Sequence, residues 1–253
     1  VTVANPLAAE ESVLRTSLRP GLLRAVRYNE SHRTDGVQLF EIGTVFGPPE
    51  PGAPLPTERE QLAAVAAGVE VGEAVQWWRV LAEALALRDP EIEQGPVGGL
   101  HPGRAGRLLA AERAVGVLGE IAHEVTEAQG IRERVTVLEL DLDALAGAPR
   151  RERRYWLVSR YPSSDVDLAF EVDEAVPAAE VERAIAQAGG PLVASVRLFD
   201  VFRGASIAPG RRSLAFSLRL QAPDRTLTED EIAEIRRRVI EAVEARLPAA
   251  LRA

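Results

Sequence analysis

Apolar and polar residues alternate most regularly in the last third of the chain. Residues 166–172 and 213–221 each place every second side chain on an apolar face, which predicts two half-buried strands. Residues 192–202 predict a third strand, although its alternation is ambiguous because both faces are partly apolar. Apolar residues spaced three and four apart then predict a long helix over about residues 228–247.

Two further elements complete this region. Residues 177–188 are typical of a helix that ends at a glycine pair, and residues 250–253 fit a short last strand. The long helix before that strand begins with a capping box, in which Thr228 and Glu231 satisfy backbone donors reciprocally. The order is strand, helix, strand, strand, helix, strand. The pattern therefore predicts a ferredoxin-like βαββαβ domain.

The N-terminal part of the chain mixes both periodicities. Residues 8–28 predict a helix in two pieces, because Pro20 can start the second piece but cannot lie inside the first. The remaining elements predict a mostly antiparallel sheet with helices on one side, an α+β arrangement. The predicted strands are 37–46, 61–69, 108–111, 115–122 and 135–140, and the other predicted helices are 72–87 and 123–129.

Two stretches rich in proline or glycine interrupt these patterns. Residues 47–56 are too rigid and too poor in apolar side chains to form an element, so they predict a loop. Residues 147–149 precede the basic run 150–154, which could contact nucleic-acid phosphate or form a solvated linker. The predicted organisation is a domain at 1–150, a linker at 151–160 and a second domain at 161–253.

The composition is that of a soluble globular protein. Hydrophobic residues make up 46% and charged residues 27% of the 253 residues, and no apolar stretch is long enough for a membrane span. The N-terminus lacks the basic and apolar regions of a signal peptide, and it lacks a starting Met, so a fragment is expected. Without cysteine the chain has no disulfide and no thiolate metal site, which is compatible with the cytoplasm.

All 30 basic residues are arginine, and acidic residues outnumber them. The net charge is −8; the residues from Tyr155 onward carry 13 Arg against 15 acids, and the rest carries 17 against 23. Neither part is therefore a generic basic nucleic-acid binder that works by counterion release. Any contact with RNA must be local and must depend on stacking and on a few placed arginines.

Five short segments of the last domain carry a family resemblance. They are Ser159-Arg160-Tyr161-Pro162, Asp167-Leu168-Ala169-Phe170, Leu198-Phe199-Asp200-Val201-Phe202-Arg203-Gly204, Ser213-Leu214-Ala215-Phe216 and Pro223-Asp224-Arg225-Thr226-Leu227-Thr228. In order and spacing these segments resemble the anticodon-binding ferredoxin-like domain of phenylalanine–tRNA ligases. One such segment would be a weak signal, whereas five in register are a strong one.

The first domain resembles another part of the same ligases. Its segments are Asn5-Pro6-Leu7, residues 11–23, Leu39-Phe40-Glu41-Ile42-Gly43, His101-Pro102-Gly103-Arg104-Ala105 and Glu139-Leu140-Asp141-Leu142. They are similar to the class II synthetase-like domain of the bacterial β subunit. In that family this domain is catalytically silent and supports the catalytic α subunit. The editing module and the N-terminal tRNA-binding region of the β subunit are not recognised here.

The resemblance carries expectations about partners and cofactors. It implies a cytoplasmic ligase, usually a heterotetramer in bacteria, with the α subunit and tRNA-Phe as partners and with no contact to membrane or DNA. ATP and magnesium are expected at the α subunit or elsewhere in the complex, and none is expected to bind this segment. The segment is thus expected to belong to an enzyme without being catalytic itself.

Several residues of the first domain admit a catalytic and a structural interpretation. Arg15 and Glu41 fall where remnants of class II motifs would lie, but no complete Arg-x-Glu follows, so we expect a structural pair. His101 precedes Pro-Gly and is expected to be a turn residue. Trp77 and Trp78 could stack a base, but in an amphipathic helix they more simply split between the core and an interface.

In the second domain the resemblance places an anticodon-binding site on the sheet face that the helices leave free. The family's stacking aromatic corresponds to Phe202, with Ser213 beside it and Ala169 on the neighbouring strand. Arg203 and Arg219 are candidate basic contacts. RNA loops are read by such stacking, with hydroxyls and arginines on base edges. The alternative is that Phe202 is a core residue.

This sequence departs from the family in two places. Phe202 replaces a usual tyrosine, which keeps the aromatic face and loses the hydroxyl. Residues 163–166 read Ser-Ser-Asp-Val where the family often has arginine, which removes positive charge near the site. Arg211, Arg212 and Arg225 could compensate, together with Arg203 and Arg219.

Two other functions remain open at this point. The chain could be a purely structural scaffold for subunit assembly without RNA contact, or a freestanding module that binds a small metabolite. An exposed ring at Phe202 favours an RNA reader and a buried ring favours the scaffold. A metabolite site would need a pocket with convergent polar groups, and no Gly-rich ligand loop indicates one.

Overall fold

The computed structural model describes residues 1–3, 5–6, 12–152, 159–204 and 206–252. The chain divides into two compact units, Val1–Arg154 and Tyr155–Ala253, so the division falls inside the predicted linker at 151–160. Residues 153–158 of that linker, including the end of the basic run 150–154, lie outside the described residues.

The first unit contains one six-stranded antiparallel sheet. Its strands are β1 (Gln38–Pro49), β2 (Pro56–Ala67), β3 (Pro90–Gln94), β4 (Leu100–Ala110), β5 (Arg113–Ile121) and β6 (Val135–Asp141), and its helices are α1 (Arg19–Ser31), α2 (Gly72–Ala84), α3 (His123–Gln129) and α4 (Leu142–Ala146). The strand order is β1-β2-β6-β5-β4-β3, and every neighbouring pair is antiparallel. The predicted antiparallel sheet is confirmed.

Helices cover both faces of this sheet. Leu22 of α1 packs in a cluster with Val137, whereas Trp78 of α2 packs in another cluster with Leu138. Val137 and Leu138 are neighbours in β6 and point to opposite faces, yet both are buried. The prediction of helices on one side is therefore wrong: consecutive residues of β6 are buried, which is typical of a strand covered on both faces.

Residues 12–18 do not form the predicted first helical piece. The backbone N–H of Phe46 in β1 donates to the carbonyl of Arg15 at 2.8 Å, so this segment runs beside the edge of the sheet. The carbonyl of Arg15 therefore accepts a hydrogen bond from β1 and is not available for the backbone hydrogen bond of a helix. The second piece is confirmed as α1, with Pro20 in its first turn. Residues 8–11 lie outside the described part of the chain.

Other differences from the predicted pattern have local causes. All five residues of β3 are exposed, so this edge strand has no alternation that could predict it. β4 begins earlier than predicted because an irregularity between Leu100 and Ala105 breaks its alternation. The loop predicted at 47–56 is shorter, since β1 continues to Pro49 and β2 begins at Pro56.

The second unit has the predicted ferredoxin-like arrangement. Its elements are β7 (Ser164–Asp173), α5 (Ala178–Gly189), β8 (Val193–Phe202), β9 (Arg211–Leu220), α6 (Glu229–Arg246) and β10 (Ala249–Leu251). A 3₁₀ turn at Gly190–Leu192 joins α5 to β8. The strands form an antiparallel sheet in the order β10-β7-β9-β8, which confirms βαββαβ.

The two helices of this unit cover a single face of its sheet. Phe170 of β7 and Phe216 of β9 are fully buried there, in one cluster with Val181 of α5 and Val239 of α6. The predicted capping box starts α6: Thr228 accepts from the backbone of Glu231, whose carboxylate accepts from the backbone of Thr228. The opposite sheet face has no helix from the described part of this unit.

Candidate nucleic-acid interface

We call the sheet face of the second unit that α5 and α6 leave uncovered the open face. Residues that lie opposite each other in antiparallel strands point to the same face, so the strand register assigns its members. They form four rows across β7, β9 and β8: Asp165, Arg219 and Ser195; Asp167, Ser217 and Arg197; Ala169, Ala215 and Asp200; Glu171, Ser213 and Phe202.

Phe202 reaches the open face because β8 is irregular. Val196 and Leu198 lie opposite core residues of β9, so unbroken alternation would turn Phe202 to the core as well. The register shifts between Leu198 and Asp200, and one extra residue in a strand reverses the faces beyond it. Phe202 consequently lies opposite Ser213, and 40% of it is exposed. An exposed ring is what stacking on a base requires.

Several small residues lie near the ring. A Cβ atom at Gly204 would lie 2.5 Å from Cζ of Phe202, so any other residue at 204 would displace the ring from its present position. Ala169 and Ala215 fill the central places of the next row and give the open face a flat floor beside the ring. An aromatic ring next to a flat floor is suited to a planar ligand such as a base.

Ser213 lies on the open face as expected but is only 4% exposed. Its row places it between the longer side chains of Glu171 and Phe202. Strand alternation gives the face to which a residue points, but it does not give the cover that neighbouring side chains provide. A base can therefore reach the Ser213 hydroxyl only if the groups around it move.

The two candidate arginines are already engaged by carboxylates. Arg203 donates from Nε and Nη2 to Glu174 at 2.9 and 2.5 Å, and Arg219 donates to both oxygens of Asp165 at 2.9 and 3.2 Å. The hydrogen bond from Arg219 lowers the pKa of Asp165 below its ordinary 3.8, and the one from Arg203 lowers the pKa of Glu174. Both acids thus stay charged at neutral pH and hold these arginines in place.

The other arginines proposed to compensate for lost charge are also engaged. Arg211 lies 3.5 Å from Glu171, Arg212 donates to the carbonyl of Val176 at 2.8 Å, and Arg225 donates to Glu231 at 2.6 Å. Desolvation by burial lowers the pKa of Arg212. These contacts hold the unit together, so they do not supply free positive charge for RNA.

Arg252 is among the residues of the open face that sequence reasoning missed. Arg252 follows β10, and its backbone N–H donates to the carbonyl of Ala169 at 2.8 Å. Its guanidinium carbon lies 5.4 Å from the centroid of the Phe202 ring, within the range of a cation–π contact. The pairing of β10 with β7 could have indicated it, because the predicted last strand includes position 252.

In the first unit the candidate catalytic residues form structural contacts. Arg15 donates to the carbonyl of Thr44 at 2.8 Å and to Glu41 at 2.5 Å. Glu139, which is buried, accepts a hydrogen bond from Ser17 at 2.9 Å and forms an ion pair with Arg19. These pairs tie the segment before α1 and the first residue of α1 to β1 and β6, as the structural interpretation of Arg15 and Glu41 predicts.

The remaining candidates of the first unit also have local partners. His101 Nδ1 accepts from the backbone N–H of Gly103 at 3.1 Å, which fits the predicted turn role although the residue lies in the irregular start of β4. Trp78 is buried in the core, whereas Trp77 lines an apolar groove with Phe40 and Val80. The core position of Trp78 is therefore confirmed, and an interface at Trp77 stays a prediction.

Neither a metal site nor a membrane span is found in the described part of the chain. Among the described residues, no group of three or more His, Asp or Glu side chains is placed to hold a metal ion. No helix within the described ranges is long and apolar enough to cross a membrane.

Comparisons with known families agree over both units. Residues 1–142 match the family model for the phenylalanyl tRNA synthetase beta chain CLM domain, and residues 159–252 match the ferredoxin-fold anticodon binding domain. The two matches fall on either side of the division between the units. They agree with the five segments of the second domain and with the resemblance of the first.

Curated relatives extend the agreement to the whole chain. The chain is 35% identical over 266 residues to a phenylalanine–tRNA ligase beta subunit of Bacillus cereus, and 37% identical over 269 residues to that of Moorella thermoacetica. Each alignment covers 100% of this chain and 33% of the relative, so the chain spans a third of their length. A pyrrolysyl-tRNA synthetase from Desulfitobacterium hafniense matches 58% of this chain and 62% of its own at 20% identity, with a TM-score of 0.43, too low to support an argument.

Proposed function

Because the chain belongs to the phenylalanine–tRNA ligase beta subunit family, we propose that its second unit binds the anticodon region of tRNA-Phe in the cytoplasm. In the same proposal its first unit supports the catalytic α subunit during aminoacylation. The chain would thus act as a tRNA-binding and assembly segment of the ligase, without catalytic residues of its own.

The observation that carries the RNA-binding proposal is the position of Phe202. The bulge in β8 turns this ring away from the core, and 40% of it is exposed on a face that the unit's helices leave free. A ring kept in water without a binding role gives up the stabilisation that its burial would supply. Stacking on an unpaired base would use the exposed ring directly.

The charges of the open face indicate how binding would work. Asp165, Asp167, Glu171 and Asp200 all lie on it, and Asp165 already engages Arg219. The arginines on the same face, Arg197, Arg219 and Arg252, do not outnumber these carboxylates, so the face does not attract RNA by bulk charge. Affinity would therefore come from stacking and from hydrogen bonds to base edges, which also makes binding sensitive to the sequence of the loop.

The proposal is tested with the 253-residue chain and an anticodon stem-loop of tRNA-Phe. Binding is measured at fixed salt and compared with a stem-loop of the same length whose anticodon is replaced. We expect tighter binding to the cognate loop. Equal affinity for both loops, or no binding to either, would favour the scaffold alternative in which the chain contributes no RNA contact.

The α-subunit part of the proposal rests on an uncovered apolar surface of the first unit. Phe40 of β1 is 73% exposed, and it borders the groove that also contains Trp77 and Val80. Exposed apolar patches of this kind are typical of protein–protein contacts. Phe40→Asp is expected to reduce co-purification of the α subunit, and Glu50→Lys, in the turn beyond β1, is a matched control that should leave it unchanged.

ATP and magnesium are proposed to act at the α subunit rather than here. The residue of the first unit that would clamp a phosphate is Arg15, and both Thr44 and Glu41 already engage its guanidinium. A carboxylate at that place repels a phosphate. The 253-residue chain alone should therefore form no phenylalanyl adenylate, and detectable pyrophosphate exchange would contradict this assignment.

A further inference from the structure

Arg252 extends across the open face of the second unit. Its backbone continues the antiparallel pairing of β10 with β7 by one residue, so it lies opposite Ala169 and points to the open face. β10 and β8 are the two outer strands of the sheet, so the side chain must cross the two central strands to reach Phe202. Small residues make this crossing possible, since Ala169 and Ala215 occupy the central places there.

The distance between the Arg252 guanidinium and the Phe202 ring lies between that of two stacked groups and that of two groups with a base between them. The guanidinium carbon lies 5.4 Å from the ring centroid. Two planar groups in van der Waals contact lie roughly 3.5 Å apart, so a base between two plates needs roughly 7 Å. The present spacing is too small for an inserted base and larger than close stacking. An outward movement of roughly 1.6 Å by the guanidinium would therefore admit one base.

Such a movement meets little resistance. Nη2 of Arg252 donates to the Ser206 hydroxyl at 3.3 Å, a long contact at the exposed end of the loop before β9. The backbone of Arg252 is held by the shorter bond to Ala169. The side chain can thus open while its attachment to the sheet stays fixed.

We propose that Arg252 is the second plate of a stacking site, in which an unpaired base of the anticodon loop inserts between its guanidinium and the Phe202 ring. Both aromatic rings and guanidinium planes stack on unpaired RNA bases. This proposal rests on the proposed function, because it needs the open face to bind RNA. It adds a specific partner for the base on the side away from Phe202.

The test uses the 253-residue chain, the cognate anticodon stem-loop, and versions of that RNA with an abasic site at each anticodon position in turn. Arg252→Ala is expected to weaken binding of the cognate loop by about fivefold. Arg246→Ala, which removes the same charge near the end of α6, is the matched control and should leave the affinity unchanged. The abasic RNA that removes the effect of Phe202→Ala should also remove the effect of Arg252→Ala, because both side chains contact the same base.

Arg252→Lys separates stacking from charge. Lysine keeps the positive charge but has no planar group, so it should restore the salt dependence of binding without restoring the full affinity. Full recovery by Lys would overturn the second-plate role, and so would unchanged or tighter binding of the Arg252→Ala variant. If Phe202→Ala weakens binding and Arg252→Ala does not, only this inference fails. If the wild-type chain binds no stem-loop, the proposed function fails and the inference fails with it.

Discussion

The two units use antiparallel sheets in different ways. In the first, helices cover both faces, and neighbouring residues of β6 such as Val137 and Leu138 are both buried. In the second, helices cover one face, and Phe216 is buried while Phe202 is exposed on the other face. Helix coverage therefore decides which sheet keeps a free face: the first sheet has both faces covered, and the second has one face on which a ligand can bind.

The largest difference in stability is expected between substitutions on the two faces of the second sheet. Phe216→Ala should destabilise the unit by about 3–5 kcal/mol, because it removes a fully buried ring from a packed core. Phe202→Ala makes the same chemical change on the open face and should cost less than about 1 kcal/mol. Urea unfolding of both variants measures the difference. Similar losses would mean that Phe202 is a core residue, and the two faces would then not differ in role.

A second pair of variants compares two ion pairs of the first unit. Glu139 is 5% exposed and engages both Arg19 and Ser17, so Glu139→Ala leaves a partly buried guanidinium without its partner. We expect a loss of roughly 3 kcal/mol in the free energy of unfolding. Glu41→Ala breaks the more exposed pair with Arg15 and should cost about 1 kcal/mol or less. Equal losses of stability for the two variants in thermal unfolding would show that burial does not determine how much each pair stabilises the unit.

A smaller effect concerns the charge of the open face. Asp165→Asn removes the carboxylate that holds Arg219, so the freed guanidinium can contact a phosphate of the loop. The slope of log affinity against log salt should become steeper by about 0.7, the value for one added phosphate contact on a single strand. Glu241→Gln loosens Arg237 on α6, away from the open face, and is the control with the same change in net charge. An unchanged slope for Asp165→Asn would show that Arg219 does not reach RNA.

The expected pH range of that experiment follows from the direction of the pKa shift. The hydrogen bond from Arg219 lowers the pKa of Asp165 below its ordinary 3.8, so the ion pair is complete above that value and is lost only as the pH falls further. The difference between Asp165→Asn and the wild type should therefore be constant from about pH 5 to pH 8.

The second unit could be predicted from sequence better than the first, for a physical reason. Strict alternation in β9, from Ser213 to Leu220, and the capping box at Thr228 are local signals that tertiary contacts did not override. In the first unit β6 is buried on both faces and has no alternation, so its pattern did not show that helices lie on both sides. Residues 12–18 lost their helical preference to pairing with β1, which depends on contacts distant in sequence.

The sequence also predicted some features of the candidate site and missed others. The family segment that ends at Gly204 identified the Phe202 ring. The exposure of that ring depends on a register shift in β8, which the residue types of the strand do not reveal. The burial of Ser213 and the carboxylate partners of Arg203 and Arg219 depend on side chains from other strands or loops. Arg252 was missed because its contact with Phe202 crosses the whole sheet.

The role of the open face is tested most directly by the affinity of Phe202→Ala for the cognate anticodon stem-loop, measured beside its stability. We predict a loss of about 1–3 kcal/mol in binding free energy, the usual value of one base–aromatic stack, with an almost unchanged free energy of unfolding. Phe40→Ala, which removes an exposed ring from the first unit, should leave RNA affinity unchanged. Wild-type affinity in the Phe202→Ala variant would contradict the claim that the open face reads the anticodon.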